Sequence, residues 1–280
     1  QFIESTDLDW AAFQALLARH RVLLPVYSIL RERELLPLLG ESARRELGTV
    51  ARVKQLGQLQ RMAALLRARE ALTEARVEFL CLKGPALSQI LFGDPLAREF
   101  GDLDVLVRER DIASAAKALE RAGFVSDDAF DWGRAPLRGF VLRHLYHAHF
   151  SGGGVRVELH WRVSRNDALL VESTESLFER KQSVAISGQA FSTLGRSDLM
   201  RYLCIHGASH CWNRIKWLYD VKVLRGGEEA GDSCGDNVLD PRLRRLRDEL
   251  IDWLWGEAPD RAFQGERSRL GKLCASQITA

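Results

Sequence analysis

The sequence has no apolar run approaching the ~20 residues that cross a bilayer, which excludes a transmembrane helix. It has almost no net charge: 40 Lys and Arg against 38 Asp and Glu leave +2. That balance excludes a global electrostatic footprint for nucleic acid and leaves room only for a local basic patch. Cysteine is scarce, with five residues at Cys81, Cys204, Cys211, Cys234 and Cys274. They are odd in number, scattered and without a CxxC pair, so they suggest neither a zinc ribbon nor a disulfide framework. Free thiols fit a reducing compartment and lead to the expectation of a cytoplasmic protein. There is no internal repeat and no low-complexity tract. The opening Gln1-Phe2-Ile3-Glu4-Ser5 has neither a Met nor a basic-then-apolar leader pattern and reads as a trimmed chain.

What is there is globular. The 280 residues are 46% hydrophobic and 28% charged, enough for one large domain or two small ones. Residues up to about 75 read as helices, with Trp10, Phe13, Leu16 and Leu17 at helical spacing and Pro25 and Pro37 breaking the apolar stretches that follow. Glu41 to Glu74 is free of proline and reads as one or two helices. At Val77 the pattern changes. Val77 to Leu82 predicts a buried strand, Ala86 to Phe92 a helix opened by Pro85, and Asp102 to Val107 a second strand. Asp111 is placed to cap a helix through Arg121. Two more strands flank Gly152-Gly153-Gly154. In the second of them Val155, Val157, Leu159 and Trp161 share one face and Arg156, Glu158 and His160 the other. Beyond about residue 166 the reading returns to helices, the clearest from Asp198 to Leu224, with a Gly- and Asp-rich loop over 226–240. The expectation is a mixed α/β (α+β) fold: a helical segment over 1–75, an α/β core over 76–165 and a helical domain over 166–280.

Chemistry concentrates on a few positions. Period-two geometry puts Asp102 and Asp104 on one face of a strand, with Leu103, Val105 and Val107 turned into a core. Adjacent carboxylates repel unless something neutralises them, and a hard divalent cation such as Mg²⁺ does so. Two solvated aspartates on an edge strand is the other reading. Glu158, on the polar side of its strand, is placed to complete an acidic triad able to clamp a transferring phosphoryl group. It is equally placed to pair with a cation. Lys83 stands at a strand end, either solvated or turned to a phosphate. Arg98 is suited to bind a phosphate bidentately or to neutralise the two aspartates. In the helix after Asp198, His206, His210, Asn213, Trp217 and Asp220 share one face. Lys216 either reaches a phosphate or pairs with Asp220. His144, His147 and His149, with His160 on the facing strand, form a set in which a transition-metal site is conceivable, ranked below the Mg²⁺ reading.

The ordered set Lys83-Gly84, Arg98, Asp102-Leu103-Asp104, Val157-Glu158-Leu159-His160-Trp161, then His206-Gly207, His210, Trp212, Lys216-Trp217 and Asp220 resembles the uncharacterised nucleotidyltransferase family of the polymerase-β-like superfamily. The resemblance covers roughly residues 20 to 225. It implies a small mixed sheet flanked by helices, and two-metal transfer of a nucleotidyl group from an NTP to a hydroxyl or similar acceptor on a small molecule or peptide. Asp102, Asp104 and Glu158 would be the catalytic and Mg²⁺-binding residues, with Mn²⁺ as the alternative ion. Glu158 or an aspartate would help deprotonate the acceptor. Gly84 would open a helix facing the triphosphate, with ATP the expected nucleotide and Lys83, Arg98, His160, His210 and Lys216 around it. The superfamily places Gly-Ser or Gly-Gly at that turn, where this chain has Gly84-Pro85. The departure motivates a rival of another class, a non-catalytic nucleotide-binding or regulatory module. A metal-dependent phosphohydrolase on the same carboxylates is a third reading. Transfer to RNA is disfavoured by the near-zero net charge.

Overall fold

The computed structural model describes residues 9–128, 132, 135–164, 173–226 and 240–255. The expected loop over 226–240 and the last twenty or so residues lie almost wholly outside them.

The N-terminal third is helical, as its apolar spacing predicts: α1 (Trp10–His20), α2 (Leu23–Glu32), a short 3-10 turn and α3 (Glu41–Glu74). Asp9 caps α1, its carboxylate accepting from the Ala12 N–H at 3.0 Å. Pro25 does not break α2 but sits in its first turn, where its missing N–H has no intrahelical role. Next come β1 (Phe79–Cys81), α4 (Gly84–Phe92), β2 (Asp102–Val107), α5 (Ile112–Arg121), β3 (Val125–Ser126), α6 (Ala135–His144), β4 (His147–Gly152) and β5 (Val155–His160). Asp111 stands at the start of α5, but its side chain makes no capping hydrogen bond.

The seven strands form one mixed sheet in the order β3-β4-β5-β2-β1-β7-β6. Its last two strands correct the expectation of helices beyond residue 166. After α7 (Thr174–Glu179), β6 (Gln182–Ile186) and β7 (Gln189–Thr193) form a hairpin, and β7 joins β1 in parallel. The chain then runs through α8 (Arg196–Ser209), α9 (Ile215–Gly226) and α10 (Pro241–Trp255).

The sheet has two different faces. Leu103, Val105, Val107, Val157, Leu159 and Trp161 pack against α3 and α5. Each such buried aliphatic side chain contributes roughly 1.5–3 kcal/mol. On the opposite face Leu80, Leu82 and Leu106 meet α4, α8, α9 and α10. The polar members of β2, β4 and β5 lie on this second face, so the carboxylates of the strand pattern open beneath the C-terminal helices.

The expected continuous helix from Asp198 to Leu224 is two helices. The chain turns between Ser209 and Ile215, with Cys211 and Trp212 in the left-handed region at φ 51° and 49°. Packing sets this turn. The Trp212 N–H reaches back to the Gly207 carbonyl at 2.8 Å, and the indole lies where a Cβ on Gly207 would come within 2.3 Å of it. Gly207→Ala is therefore expected to displace a fully buried indole and lower stability by about 1–3 kcal/mol, read as a shifted urea midpoint at unchanged slope.

Candidate functional site

β2 and β5 are parallel neighbours, and their register sets Asp104 beside Glu158 and Leu106 beside His160. β4 pairs with β5 so that His149 stands opposite Glu158 and His147 opposite His160. Carboxylates and imidazoles are thereby assembled in one row by backbone pairing alone.

The segment before β2 is held from three sides. The Lys216 ammonium donates to the Glu99 carbonyl at 3.2 Å, the Gln58 amide to the Phe100 carbonyl at 3.2 Å and Arg61 Nε to the Gly101 carbonyl at 3.1 Å. The Glu99 carboxylate accepts from the Leu24 N–H and lies 3.4 Å from Lys54 Nζ. Helices α2, α3 and α9 thus fix the entry of the strand that carries the aspartates. Gly84, at φ +64°, makes the left-handed turn from β1 into α4. A Cβ built on it would lie 3.9 Å from the Asp102 carbonyl, so α4 starts against the aspartate strand.

Asp104 is 3% exposed, with Oδ1 3.0 Å from Lys83 Nζ and 3.4 Å from His160 Nε2. The other side of His160 Nε2 is 3.4 Å from Glu158 Oε2. Burial alone raises the pKa of a carboxyl, but Lys83 and His160 outweigh it and hold Asp104 well below the usual range. The same contacts act in reverse: burial opposes the charge on Lys83 and His160, and the facing carboxylates raise both pKa values. His147 is pushed down to about 4 by burial and by His160, and so is neutral at pH 7.

One cleft with two lobes opens on this row, and Lys83, Asp102, Asp104, His206 and His210 line both. The first lobe, of about 210 Å³, is cationic, with Arg21, Lys83, Arg98, Arg214 and Lys216 in its wall beside Gly84 and Trp217. The second, of about 350 Å³, holds Tyr146, His147, Glu158, His160 and Tyr202.

The cations of the first lobe are not equivalent. Arg98 is bound bidentately to Asp220, Nε to Oδ1 and Nη2 to Oδ2 at 2.8 Å each, and not to Asp102 or Asp104. Lys216 is turned to a backbone carbonyl rather than into an ion pair with Asp220. Its pKa is driven well below the usual value by burial and by the nearby charges of Arg98, Arg21 and Lys83. Arg214 is depressed by burial and by Arg21. Neither Arg21 nor Arg214 forms an ion pair among the described residues, and Arg21 holds a left-handed backbone at φ 53°. The spacing of the sequence pointed to neither. Only the αL end of α1 and the Arg214-Ile215-Lys216 run mark them, and both need the fold to be seen. His210 stacks on Trp217 at 5.0 Å, and His206 meets the same ring edge-on at 5.4 Å. The one-face spacing of these residues therefore survives the break between α8 and α9.

The structure thus gathers Lys83, Gly84, Arg98, Asp102, Asp104, Glu158, His160, His210 and Lys216 around one cleft. His144 ends α6, and its ring packs on Phe140 instead.

The family described as "uncharacterised nucleotidyltransferase" matches residues 6–254 of the chain. Among solved structures the chain is similar to an antigenic nucleotidyltransferase-like protein from Paracoccidioides brasiliensis. The identity is 13%, covering 74% of this chain and 93% of that one, with a TM-score of 0.44. No curated protein matches it.

Proposed function

Because the chain belongs to the uncharacterised nucleotidyltransferase family, we propose that the cleft transfers a nucleotidyl group from an NTP, ATP first, to a hydroxyl or similar acceptor on a small molecule or peptide. One observation carries this reading: crowded, incompletely neutralised cations share a single cleft with a pair of aspartates, Asp104 buried and Asp102 half-buried. Crowded cations are relieved by a polyanion, and a triphosphate brings up to four negative charges to such a lobe.

The residues fit a divalent cation. Asp104 Oδ1 faces Lys83 and His160, while its Oδ2 is buried without a hydrogen-bond partner, which is costly unless something else approaches it. Asp102, Asp104 and Glu158 would hold the ion, Mg²⁺ or alternatively Mn²⁺, which when bound polarises the phosphoryl oxygens and offsets charge on the leaving pyrophosphate. The chain's own groups do the rest. Arg21, Arg214 and Lys83 grip and orient the phosphates. α4 opens at Gly84, which lines the same lobe, with one N–H donor fewer at Pro85. Glu158, held by His160, accepts the proton of the acceptor hydroxyl. The acceptor enters from the second lobe. Among the described residues no helix is long and apolar enough to cross a membrane, and Cys81, Cys204 and Cys211 are free thiols. The free thiols support a cytoplasmic setting.

Calorimetric titration with ATP, GTP, CTP and UTP, with and without Mg²⁺, tests the reading. Metal-dependent binding that is lost in Asp102→Asn/Asp104→Asn and weakened in Arg214→Ala is expected. Absence of binding by all four nucleotides would overturn it. Binding without turnover against any acceptor would favour the non-catalytic module that the Gly84-Pro85 turn suggests.

A further inference from the structure

The second lobe holds a donor set that nucleotidyl transfer explains only in part: it gives Glu158 and His160 a role, but none to His147 or to the three as a set. His147, Glu158 and His160 each offer one ligand atom, and these atoms all lie within 4.8 Å of one another. His160 Nε2 and Glu158 Oε2 are 3.4 Å apart. That separation matches the edge of a tetrahedron whose arms are about 2.0–2.1 Å, the bond lengths of Zn²⁺ to imidazole and carboxylate. His160 is 3% exposed, its Nδ1 has no hydrogen-bond partner and its Nε2 has only the contacts of 3.4 Å to Asp104 and Glu158, and His147 Nδ1 is buried without a partner. Buried polar atoms left without partners are rare and call for an occupant. Sheet pairing fixes the arrangement: His147 and His160 are direct cross-strand partners, and their rings lie 4.9 Å apart. All three residues line the lobe of about 350 Å³, so the set is not closed off as a purely structural site would be.

We propose that His147, Glu158 and His160 form a site for a first-row transition-metal dication, Zn²⁺ first. It differs in ligand chemistry from the Asp102/Asp104 pair, which suits the hard ion. Imidazole favours Zn²⁺ and its neighbours in the Irving–Williams order, whereas Mg²⁺ prefers oxygen donors and retains its waters. Glu158 is the carboxylate common to both sets: it completes the hard-ion set of the proposed function with the two aspartates, and this one with two imidazoles. The site stands independently of nucleotidyl transfer, since a chain that transferred nothing would still bind the ion.

Chelator-stripped protein titrated with Co²⁺ in the absence of nucleotide reads the site directly through its visible absorption. A saturable band at one equivalent is expected, displaced by Zn²⁺ but not by a large excess of Mg²⁺. His147→Ala, at a half-buried position, should weaken Co²⁺ binding on the order of 10–100-fold, as should Glu158→Gln, with circular dichroism showing both folded. Asp102→Asn should leave the band in place. A missing band, a band displaced by Mg²⁺, a band indifferent to His147→Ala and Glu158→Gln, or one lost in Asp102→Asn would each overturn the proposal. A Co²⁺ site without nucleotide binding would overturn only the transfer reading. Nucleotide binding without a Co²⁺ site would overturn only this one.

Discussion

Arg98→Ala lowers the free energy of unfolding by about 3–5 kcal/mol. Arg98 and Asp220 have side chains 2% and 1% exposed and share two hydrogen bonds, so removing the guanidinium strands a carboxylate in the interior. Burial works to lower the pKa of Arg98, and Asp220 raises it past that effect, which shows how strongly each charge depends on the other. Asp220→Asn is expected to cost a similar amount for the mirror-image reason. Replacing both by apolar residues of matching volume should recover most of the loss, because the cost lies in the orphan rather than in the absent pair. Chemical denaturation of the two single variants and the double variant closes the cycle. Losses that simply add would show that the pair is not the unit of stability.

Asp104→Asn reduces nucleotidyl transfer on the order of 10²–10³-fold or more, as loss of a charge aimed at the reacting phosphates should. This variant also carries a structural cost that its place on a strand does not reveal. Lys83 at 3.0 Å loses its facing carboxylate and His160 at 3.4 Å loses one of its two, and a fall in stability of about 1–3 kcal/mol accompanies the loss of activity. Asp102→Asn separates the two effects. Asp102 is half-buried and forms no ion pair among the described residues, so the variant should lose turnover while keeping its denaturation midpoint. Turnover near the wild-type value in both variants, read with the preferred nucleotide, would remove the aspartates from the chemistry.

The strands that carry the carboxylates were legible because alternation is a local signal. Asp102–Val107 matches its predicted bounds, and the apolar face of β5 is the one that packs on α3 and α5. The hairpin over 182–193 was missed although a signal was present. Ser187-Gly188 is a two-residue turn with both φ positive, at 50° and 75°, and Ile186 pairs with Gln189 across it. The break between α8 and α9 had no local signal of its own. It is made by Trp212 folding back over Gly207, a packing event that neither proline nor a helix-breaking run announces. The partners of Arg98 and Lys216 lie more than a hundred residues away along the chain, and no spacing rule reaches that far.

The wall of the first lobe is drawn from Arg21, Lys83, Asp102, His206 and Trp217, nearly the whole described length of the chain. None of these segments can close the lobe early, and two of the strand pairings beneath it, β2 with β5 and β1 with β7, are parallel and far apart in sequence. Such non-local closure loses chain entropy before contacts compensate it, which slows folding. During synthesis the cationic wall therefore stays unfinished until α9 has emerged and Arg98 has met Asp220. A nascent chain ending short of that helix has the aspartate strand but not the cationic wall to which the proposed function assigns the triphosphate.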